Sequence, residues 1–456
     1  MERISNFSKS KQLYSEALKV LPAGVSSNAR LWLKFCPTYL PCSIFIKKGS
    51  GAHVWDVDGN EYIDYRLGIG PIILGHGYPA VVKRVHGEER RGSVYSSDTA
   101  LEIKVAKKIQ SMVPCAEMVR YSTTGTEATM SAIRFARAYT KREKILKFEG
   151  HYHGTSDYLL FSTDQPFDSP RNIPYPQSLG IPREISKLIE VLQWNDFDAF
   201  EQVMNQIGDQ IAGVITEPVM GNATVIPPKP GYLKFLKETC EKHGSVLIFD
   251  EVKTGFRLGP GGAQKKFGVV PHLATFAKSL SNGYPMSFIA GRKEIMEMIG
   301  PHMVVHGGTY AGNPVSLTAA DATLDELKKR RVFKHLEWYG TVLMKKLREL
   351  FDENNMPAIV QGYPEMFQVL ITELEEVTNF RDLAKVDFDM YAKIHFELLT
   401  RGIMIDEDNG EPIFTCYSHD GTDLRTTTSA FEEAIPAAKK SELKPSTQIR
   451  YQTPDS

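Results

Sequence analysis

The sequence predicts an α/β fold with a large domain on a mostly parallel sheet and a smaller α+β domain. The chain has 456 residues, 42% of them hydrophobic, which is enough for two cores. In residues 76–330, helical patterns alternate with short apolar runs, as in βα units wound onto a parallel sheet. After residue 330 the pattern changes to three helical segments and one strand, which indicates the smaller domain.

Residues 1–75 form the first predicted unit, an N-terminal segment that we assign to the small domain. A helix is expected from residue 7 to residue 21, where Pro22 and Gly24 end it. Residues 43–65 have strand patterns separated by turn signals at residues 49–51 and 58–60. This spacing predicts an antiparallel meander.

Residues 76–330 are predicted to form the large domain and residues 331–456 the C-terminal small domain. The strand patterns of the large domain are apolar or β-branched throughout, as expected for strands buried on both faces. They cover residues 145–148, 213–216, 246–249 and 288–290. The small domain is expected to have helices at residues 343–351, 388–401 and after Thr427, and a strand at residues 366–371. The tail from residue 444, rich in Pro, Ser and Thr, is expected to fray.

Charge and cysteine content exclude several classes of protein. The 54 basic and 55 acidic residues are mixed along the chain, so no basic stripe indicates a nucleic acid or a membrane surface. The sequence contains no run of about 18 apolar residues, which is the length that would predict a membrane span. The cysteines are odd in number and include no CxxC pair, which predicts reduced thiols in a cytoplasmic protein. They are Cys36, Cys42, Cys115, Cys240 and Cys416.

Lys278 and Asp250 are the first candidates for chemistry. Lys278 comes shortly after an apolar run, and a lysine screened from water loses its proton more readily and becomes a nucleophile toward carbonyls. Asp250 follows four apolar residues, at the carboxyl end of a predicted strand, where ligands bind in open α/β sheets. An ordinary surface lysine and a helix-capping aspartate are the alternatives that these positions leave open.

Two loops and an aromatic residue complete the candidate site. Thr124, Gly125 and Thr126 precede a predicted helix, where hydroxyls and free backbone N–H groups favour phosphate. The loop with Thr309 offers similar donors but lacks the spacing of a P-loop. Tyr152 lies between two histidines whose HxH spacing has no further ligands at known metal-binding distances, so we expect no metal and interpret Tyr152 as a flat aromatic surface.

Together, these features indicate a single ligand that has a carbonyl group, a phosphate group and a positively charged ring. The carbonyl condenses with Lys278, and the ring cation pairs with Asp250. Pyridoxal 5'-phosphate has all three groups, and a lysine Schiff base with an aspartate at the pyridinium nitrogen is its usual protein environment. We therefore expect this cofactor.

The chain resembles the class III, fold-type I pyridoxal-phosphate aminotransferases over nearly its whole length, and within them the glutamate-1-semialdehyde aminomutase branch. The segments that carry the resemblance are residues 21–30 (LPAGVSSNAR), 54–60 (VWDVDGN), 124–128 (TGTEA), 148–154 (FEGHYHG), 217–218 (EP), 250–257 (DEVKTGFR), Lys278 and 308–314 (GTYAGNP). Together these motifs are specific to the family.

The resemblance implies a role for each residue at the cofactor. Lys278 is expected to form the Schiff base and carry the proton, and Asp250 to pair with the pyridine nitrogen. Thr124, Gly125 and Thr126 are expected to hold the phosphate. Tyr152 is expected to stack on one face of the ring and Val252 to pack on the other, with Glu217 near the cofactor in a supporting role.

The resemblance also implies a partner and a substrate group. Thr309 is expected to reach the phosphate of a neighbouring subunit, which implies a homodimer with shared active sites. Arg30 matches the arginine that binds the substrate carboxylate, a pairing that suits the planar guanidinium. A surface arginine is the alternative.

The resulting expectation is an aminotransferase that moves an amino group between a carboxylate-bearing amino compound and a carbonyl acceptor. Glutamate-1-semialdehyde 2,1-aminomutase is the alternative, because the same residues serve an intramolecular transfer. The chain departs from the aminomutase pattern at Ile69, at residues 93–98 and at residues 279–283, which favours the aminotransferase. A racemase or epimerase, and a binding module that uses the cofactor fold, are the further alternatives.

Overall fold

The computed structural model describes residues 3–446. The helices and strands are, in chain order, α1 (Ser8–Ala17), β1 (Ile46–Ser50), β2 (His53–Asp56), β3 (Glu61–Asp64), α2 (Pro79–Glu89), α3 (Ala100–Gln110), β4 (Met118–Ser122), α4 (Gly125–Thr140), β5 (Lys144–Phe148), β6 (Ile189–Leu192), α5 (Phe197–Ile207), β7 (Ile211–Thr216), α6 (Tyr232–His243), β8 (Val246–Asp250), α7 (Gly262–Phe267), β9 (Leu273–Phe276), β10 (Ser287–Gly291), α8 (Lys293–Met296), α9 (Pro314–Leu327), α10 (Arg330–Glu353), β11 (Ala358–Tyr363), β12 (Met366–Ile371), α11 (Phe388–Leu399), β13 (Ile403–Met404), β14 (Ile413–Phe414) and α12 (Gly421–Lys440). Short 3-10 turns cover Pro22–Gly24, Asn28–Arg30, Arg183–Leu188, Lys278–Leu280 and Phe380–Lys385.

A seven-stranded sheet forms the centre of the molecule, in the order β4-β10-β9-β8-β7-β5-β6. The five strands from β9 to β6 run parallel, as expected, whereas β10 is antiparallel to both of its neighbours. The sheet is therefore mostly parallel, and the predicted α/β fold class is confirmed. Strand β8 lies in the middle of the sheet, so its carboxyl end is shielded on both sides.

Strand β8 shows why these apolar runs become central strands. Val246 and Ile248 pack into the core that contains α4, and Leu247 and Phe249 pack into the core that contains α6 on the opposite face. Successive side chains of a strand alternate between faces, so a run without polar residues satisfies a sheet covered on both sides.

Two smaller sheets flank the large one. The predicted meander is confirmed, because β1, β2 and β3 pair antiparallel. Strand β3 also pairs in parallel with β13, so the N-terminal meander and a strand from the C-terminal region share one sheet. Strands β11, β12 and β14 form the other, antiparallel sheet. The domain boundaries at residues 75 and 330 stay a prediction.

The structure differs from the sequence-based expectations at several places. Helix α1 ends at Ala17, four residues before the expected end, and α12 begins at Gly421 because the Asp420 side chain accepts hydrogen bonds from the backbone N–H groups of Thr422 and Asp423.

Cys36 and Cys42 form a disulfide, so the prediction of reduced thiols is wrong for this pair. Loop residues 37–41 bring the two Cα atoms to 5.0 Å.

The predicted fraying of the tail falls mostly on residues 447–456, which lie outside the described residues. Within residues 3–446, no helix is long and apolar enough to cross a membrane.

Candidate active site

A cavity of about 190 Å³ lies where strands β5, β7, β8 and β9 end. The carboxyl ends of parallel strands meet at one edge of a sheet, and ligands bind there in open α/β folds. The residues that line this cavity, called the first cavity below, are Gly125, Thr126, Thr129, Tyr152, His153, Gly154, Glu217, Asp250, Val252, Lys253, Ala277 and Lys278. Seven residues predicted from the sequence are therefore brought together.

Lys278 follows strand β9 in a left-handed backbone conformation, with a φ of +41°. Burial lowers the pKa of its amine to about 7, and the positive charge of Lys253 acts in the same direction. A substantial fraction of the Lys278 amine is therefore unprotonated near neutral pH, and the unprotonated amine is the nucleophile that attacks a carbonyl.

Asp250 is buried at the end of strand β8 and is held by three groups. Its Oδ1 atom accepts hydrogen bonds from Thr275 Oγ1 and Val252 N, both at 3.1 Å. Its Oδ2 atom lies 2.7 Å from Nδ1 of His153. Burial raises the pKa of Asp250 to about 6. A cation in the first cavity would favour the charged carboxylate.

His153 is fully buried, and burial lowers its pKa well below the usual value. The ring is therefore neutral at pH 7, and the short contact to Asp250 assigns the proton to Nδ1, which donates to the carboxylate. His151 has a different partner, because its Nδ1 accepts from the backbone N–H of Glu217 at 3.0 Å. Among residues 3–446, no group of three or more His, Cys, Asp or Glu side chains could hold a metal ion.

Glu217 follows strand β7 and fixes the loop that carries Tyr152. Its Oε1 atom accepts from the backbone N–H of Tyr152 and its Oε2 atom from that of Gly221, both at 2.9 Å. Burial raises the pKa of Glu217 to about 7. Its carboxyl group thus holds two loops at the first cavity.

The start of helix α4 forms the anion-binding end of the first cavity. The Thr124 side chain accepts from Glu127 N, and the Glu127 side chain accepts from the backbone N–H groups of Thr123 and Thr124. The first N–H groups of a helix have no acceptor within the helix. Those of Gly125 and Thr126 are not used by this capping box, and the helix dipole favours an anion beside them. Thr124 itself caps the helix and does not line the first cavity.

Gly154 allows the close approach that shapes this end of the first cavity. Its φ is +89°, and a Cβ atom there would lie 2.3 Å from Thr126 Oγ1. The backbone N–H of Thr155 donates to the same oxygen at 3.3 Å. Only glycine permits both the conformation and the contact.

Two predicted residues do not line the first cavity of this chain. Thr309 is exposed and lines a separate cavity of about 330 Å³ that also includes Val94 and Tyr95. Arg30 is exposed at the end of a 3-10 turn. The backbone of its neighbour Ala29 accepts a hydrogen bond from Arg66 at 3.0 Å.

Sequence reasoning missed five residues of the first cavity. His153 is one half of an HxH pair that predicts no site by itself, although its position after β5 places it at the same sheet edge as Asp250. Lys253 lies inside the DEVKTGFR segment, which was a signal that could have found it. Gly154 is likewise the last residue of the FEGHYHG segment, whereas Thr129 and Ala277 have no pattern of their own.

The first cavity fits pyridoxal phosphate at each of its parts. It combines an amine with a lowered pKa, a buried carboxylate held by a neutral histidine, and free N–H groups at a helix start, where Gly154 allows the close approach of Thr126. Together with the sheet order, these features define a pyridoxal-phosphate-dependent transferase of fold type I.

Comparison with known proteins identifies the family. The class III aminotransferase family matches residues 36–417, and the chain belongs to this family. Glutamate-1-semialdehyde 2,1-aminomutase from Methanocaldococcus jannaschii is 42% identical over 428 residues, which cover 94% of this chain and 98% of that protein.

Solved structures agree in fold. An omega-transaminase from Sphaerobacter thermophilus has a TM-score of 0.87 and 29% identity, with 95% of this chain and 98% of that chain covered. A transaminase with bound pyridoxal phosphate has a TM-score of 0.84 and 27% identity, with the same coverage. The chain is therefore an enzyme of the pyridoxal-phosphate-dependent aminotransferase type.

Proposed function

We propose that this enzyme transfers an amino group between a carboxylate-bearing amino compound and a carbonyl acceptor, with Lys278 as the proton carrier. The observation that carries the proposal is the Lys278 amine, whose pKa burial lowers to about 7, in one cavity with Asp250. When bound, pyridoxal phosphate supplies the carbonyl that condenses with amines and a ring that takes up electrons as a proton leaves the substrate.

The chain's own residues then have separate tasks. The Lys278 amine would remove the proton from the substrate carbon as a general base and then deliver it, as a general acid, to the carbon of the cofactor that receives the amino group, with a pKa near the working pH. Asp250 would hold its negative charge beside the ring nitrogen, and the Nδ1–H group of His153 orients that carboxylate. Gly125 and Thr126 orient the phosphate through backbone N–H groups.

Tyr152 and Val252 are proposed to pack against the two faces of the ring. Both side chains line the first cavity. Glu217 supports Tyr152 through the bond to its backbone N–H and does not itself need to contact the ring.

The central experiment compares two lysine variants in a half-reaction with amino donors. We expect the holoenzyme to lose the absorption band of the lysine-bound cofactor when a suitable donor converts it to the pyridoxamine form. Lys278→Ala should abolish this conversion, whereas Lys293→Ala, at an exposed lysine of α8, should retain it. A Lys278→Ala variant that converts the cofactor at the original rate would overturn the assignment.

Arg30 is proposed to bind the substrate carboxylate. The position of its loop supports this role, because Arg66 donates a hydrogen bond to the carbonyl oxygen of the neighbouring Ala29 and is itself paired with Asp406 at 2.6 Å. Arg30→Ala should raise the half-saturation concentration of carboxylated donors about 10- to 100-fold and leave uncarboxylated amines unchanged. Equal losses for both donor types would contradict the role.

A homodimer with shared active sites is proposed from the surface around Thr309. Val94, Tyr95, Val305 and Tyr310 are large apolar residues exposed in the single chain, and such a surface favours a protein partner. Sedimentation should give a dimer. Mixing Thr309→Ala chains with Lys278→Ala chains should restore partial activity, because one mixed site has both residues intact. A monomer that retains full activity would refute this arrangement.

The second candidate is glutamate-1-semialdehyde 2,1-aminomutase, favoured by the name of the relative that is 42% identical. The departures from the aminomutase pattern at Ile69, at residues 93–98 and at residues 279–283 favour the aminotransferase, and none of these residues lines the first cavity. If glutamate-1-semialdehyde is isomerised without an external acceptor and other amines are inert, the aminomutase is correct.

Cytoplasmic localisation stays a prediction from the sequence, and the Cys36–Cys42 disulfide is an observation against it. Thiol labelling of protein from intact cells, before and after reduction, tests it.

A further inference from the structure

The loop that carries Arg30 is held by two consecutive carboxylates from the C-terminal region. We call residues 28–34 the Arg30 loop, which begins with the 3-10 turn Asn28–Arg30. The carboxylates belong to Asp406 and Glu407, shortly after strand β13. Because β13 pairs in parallel with β3, the sheet fixes the point from which these two side chains start.

Glu407 binds the end of the Arg30 loop. Its Oε1 atom accepts a hydrogen bond from the backbone N–H of Leu33 at 2.6 Å, and its Oε2 atom accepts from that of Lys34 at 3.0 Å. Glu407 is 5% exposed, so water competes little for these bonds. Burial raises the pKa of Glu407 to about 7, and the two N–H donors favour its ionised form. Above that pH, both of its oxygens are charged acceptors, which form the stronger hydrogen bonds.

Asp406 holds the start of the Arg30 loop through Arg66. Its Oδ2 atom accepts from Arg66 Nε at 2.7 Å and lies 2.6 Å from Arg66 Nη2. The same Nη2 atom donates to the carbonyl oxygen of Ala29 at 3.0 Å. The guanidinium also lies 5.3 Å from the centre of the Trp32 ring. Arg66 therefore ties Asp406 to the residue before Arg30.

The Arg30 side chain is not used by these contacts. It is exposed, and no hydrogen bond or ion pair within residues 3–446 engages its guanidinium. The backbone is thus bound on both sides of Arg30, whereas the side chain is available to a carboxylate.

The turn that contains Arg66 connects the Arg30 loop to the cofactor lysine. The carbonyl oxygen of Arg66 accepts from Gly70 N at 3.1 Å, and the carbonyl oxygen of Gly70 accepts from Ser279 Oγ at 3.3 Å. Ser279 directly follows Lys278. The Arg30 loop is therefore attached, through one turn, to the segment that carries Lys278.

We propose that Asp406 and Glu407 are positioning residues that hold Arg30 where it binds the substrate carboxylate, and that they thereby set the preference for carboxylated substrates. This inference rests on the proposed role of Arg30. A guanidinium binds a carboxylate best in a planar, bidentate geometry, so a small displacement of its backbone lowers the affinity. Both positioning residues act through the backbone of the Arg30 loop and not by contact with the substrate.

The test compares each carboxylated donor with the amine that lacks only its carboxylate, in the half-reaction of the holoenzyme. The pairs are norvaline with butan-1-amine, and 3-aminobutanoate with propan-2-amine, at about pH 8, where Glu407 is ionised. Glu407→Gln replaces one acceptor oxygen with an NH2 group, which cannot accept from a backbone N–H. It should raise the half-saturation concentration of the carboxylated member about 10-fold and leave that of the other unchanged. No change, or an equal change for both members, would overturn the inference.

Arg66→Lys is the second variant, in case the first does not fold. It keeps the positive charge but cannot bridge Asp406 and Ala29 as the guanidinium does. It should produce the same selective rise.

Asp58→Asn is the matched control. The Asp58 carboxylate also accepts from two consecutive backbone N–H groups of the N-terminal segment, those of Lys9 at 2.7 Å and Ser10 at 3.0 Å, but at the start of α1. This variant should change neither half-saturation concentration, even where it lowers thermal stability. A selective rise equal to that of Glu407→Gln would mean that any loosening of the N-terminal segment has this effect, and it would overturn the inference.

A double variant separates positioning from a purely structural role. In the Arg30→Ala background, Glu407→Gln should cause no further rise for carboxylated donors, because the group that it positions is absent. A residue that acts independently of Arg30 would add its full effect. Additive effects would contradict the inference.

Binding of pentanoate, measured by calorimetry, distinguishes failure of the inference from failure of the proposed function, because this carboxylate has no amine to transfer. Its dissociation constant should rise about 10-fold or more in Arg30→Ala and about 10-fold in Glu407→Gln. If Arg30→Ala weakens binding and neither Glu407→Gln nor Arg66→Lys does, the inference is wrong and the role of Arg30 stands. If Arg30→Ala changes neither pentanoate nor donor binding, the role of Arg30 fails and the inference with it.

If no donor converts the cofactor, the proposed aminotransfer fails and the pentanoate measurement alone decides the inference. No measurable binding of pentanoate to the wild type would then overturn it.

Discussion

Replacing Gly154 with alanine tests how closely the chain surrounds the phosphate. Gly154 has a φ of +89°, and a Cβ atom would lie 2.3 Å from Thr126 Oγ1 and 2.8 Å from Thr126 Cα. The backbone strain costs about 1–2 kcal/mol. The contact with a backbone atom also forces Thr126 to shift, and losing one hydrogen bond to a charged phosphate costs about 1.5–3 kcal/mol. The dissociation constant for pyridoxal phosphate should therefore rise about 10- to 100-fold.

Gly180 provides the matched control for this experiment. Its φ is +90°, but a Cβ atom there meets nothing within 4 Å. Gly180→Ala thus introduces similar strain without the contact. The assay titrates each apoenzyme with pyridoxal phosphate and follows the absorption of the bound cofactor. If Gly154→Ala binds the cofactor as tightly as Gly180→Ala, the reasoning about the phosphate end is refuted.

Three further predictions concern charge and burial. Asp250→Asn should slow the half-reaction about 100- to 1000-fold, because a neutral amide does not stabilise the ring cation. Stopped-flow absorbance measures the rate, and Asp250→Glu, which keeps the charge, is the variant for comparison. Burial raises the pKa of Glu217 to about 7. The folded apoenzyme therefore keeps a proton on this carboxyl group up to about pH 7, whereas the unfolded chain releases it near pH 4. Because the folded state binds more protons between these values, the free energy of unfolding falls as the pH rises from about 4 to 7. Glu217→Gln removes this titration. In urea unfolding, the free energy of unfolding of the variant minus that of the wild type should increase as the pH rises through this range, by at most about 1.4 kcal/mol per pH unit. A difference that stays constant with pH would contradict the prediction. Arg257→Met should lower the free energy of unfolding by about 3–5 kcal/mol in thermal or urea unfolding, because its buried guanidinium donates to three backbone carbonyl oxygens; an unchanged stability contradicts it.

The strand ends explain why part of the site is predictable from sequence. Asp250 follows an unbroken apolar run, and such a run becomes a central strand with its polar successor at the ligand-binding edge. The hydroxyls and the glycine at the start of α4 predict a helix start with free N–H groups, which the structure has. These features are local, so the sequence contains them.

Other features depend on contacts between distant segments. The apolar run of β10 does not reveal that the strand runs antiparallel to its neighbours. The contact of His153 with Asp250 joins residues 97 positions apart, and the Lys253–Glu411 pair joins residues 158 apart. The loop that closes the Cys36–Cys42 disulfide has no spacing signal either. Such pairs follow from the folded arrangement and not from any local pattern.

The most direct test of the account is to identify the lysine that binds the cofactor. Lys253 lines the same cavity as Lys278 and is therefore a second lysine that could bind the cofactor. The holoenzyme is reduced with borohydride, which fixes the cofactor to its lysine, and the digested peptides are sequenced by mass spectrometry. The account predicts that the pyridoxyl group is on Lys278. A pyridoxyl group on Lys253, or none on Lys278, would contradict it.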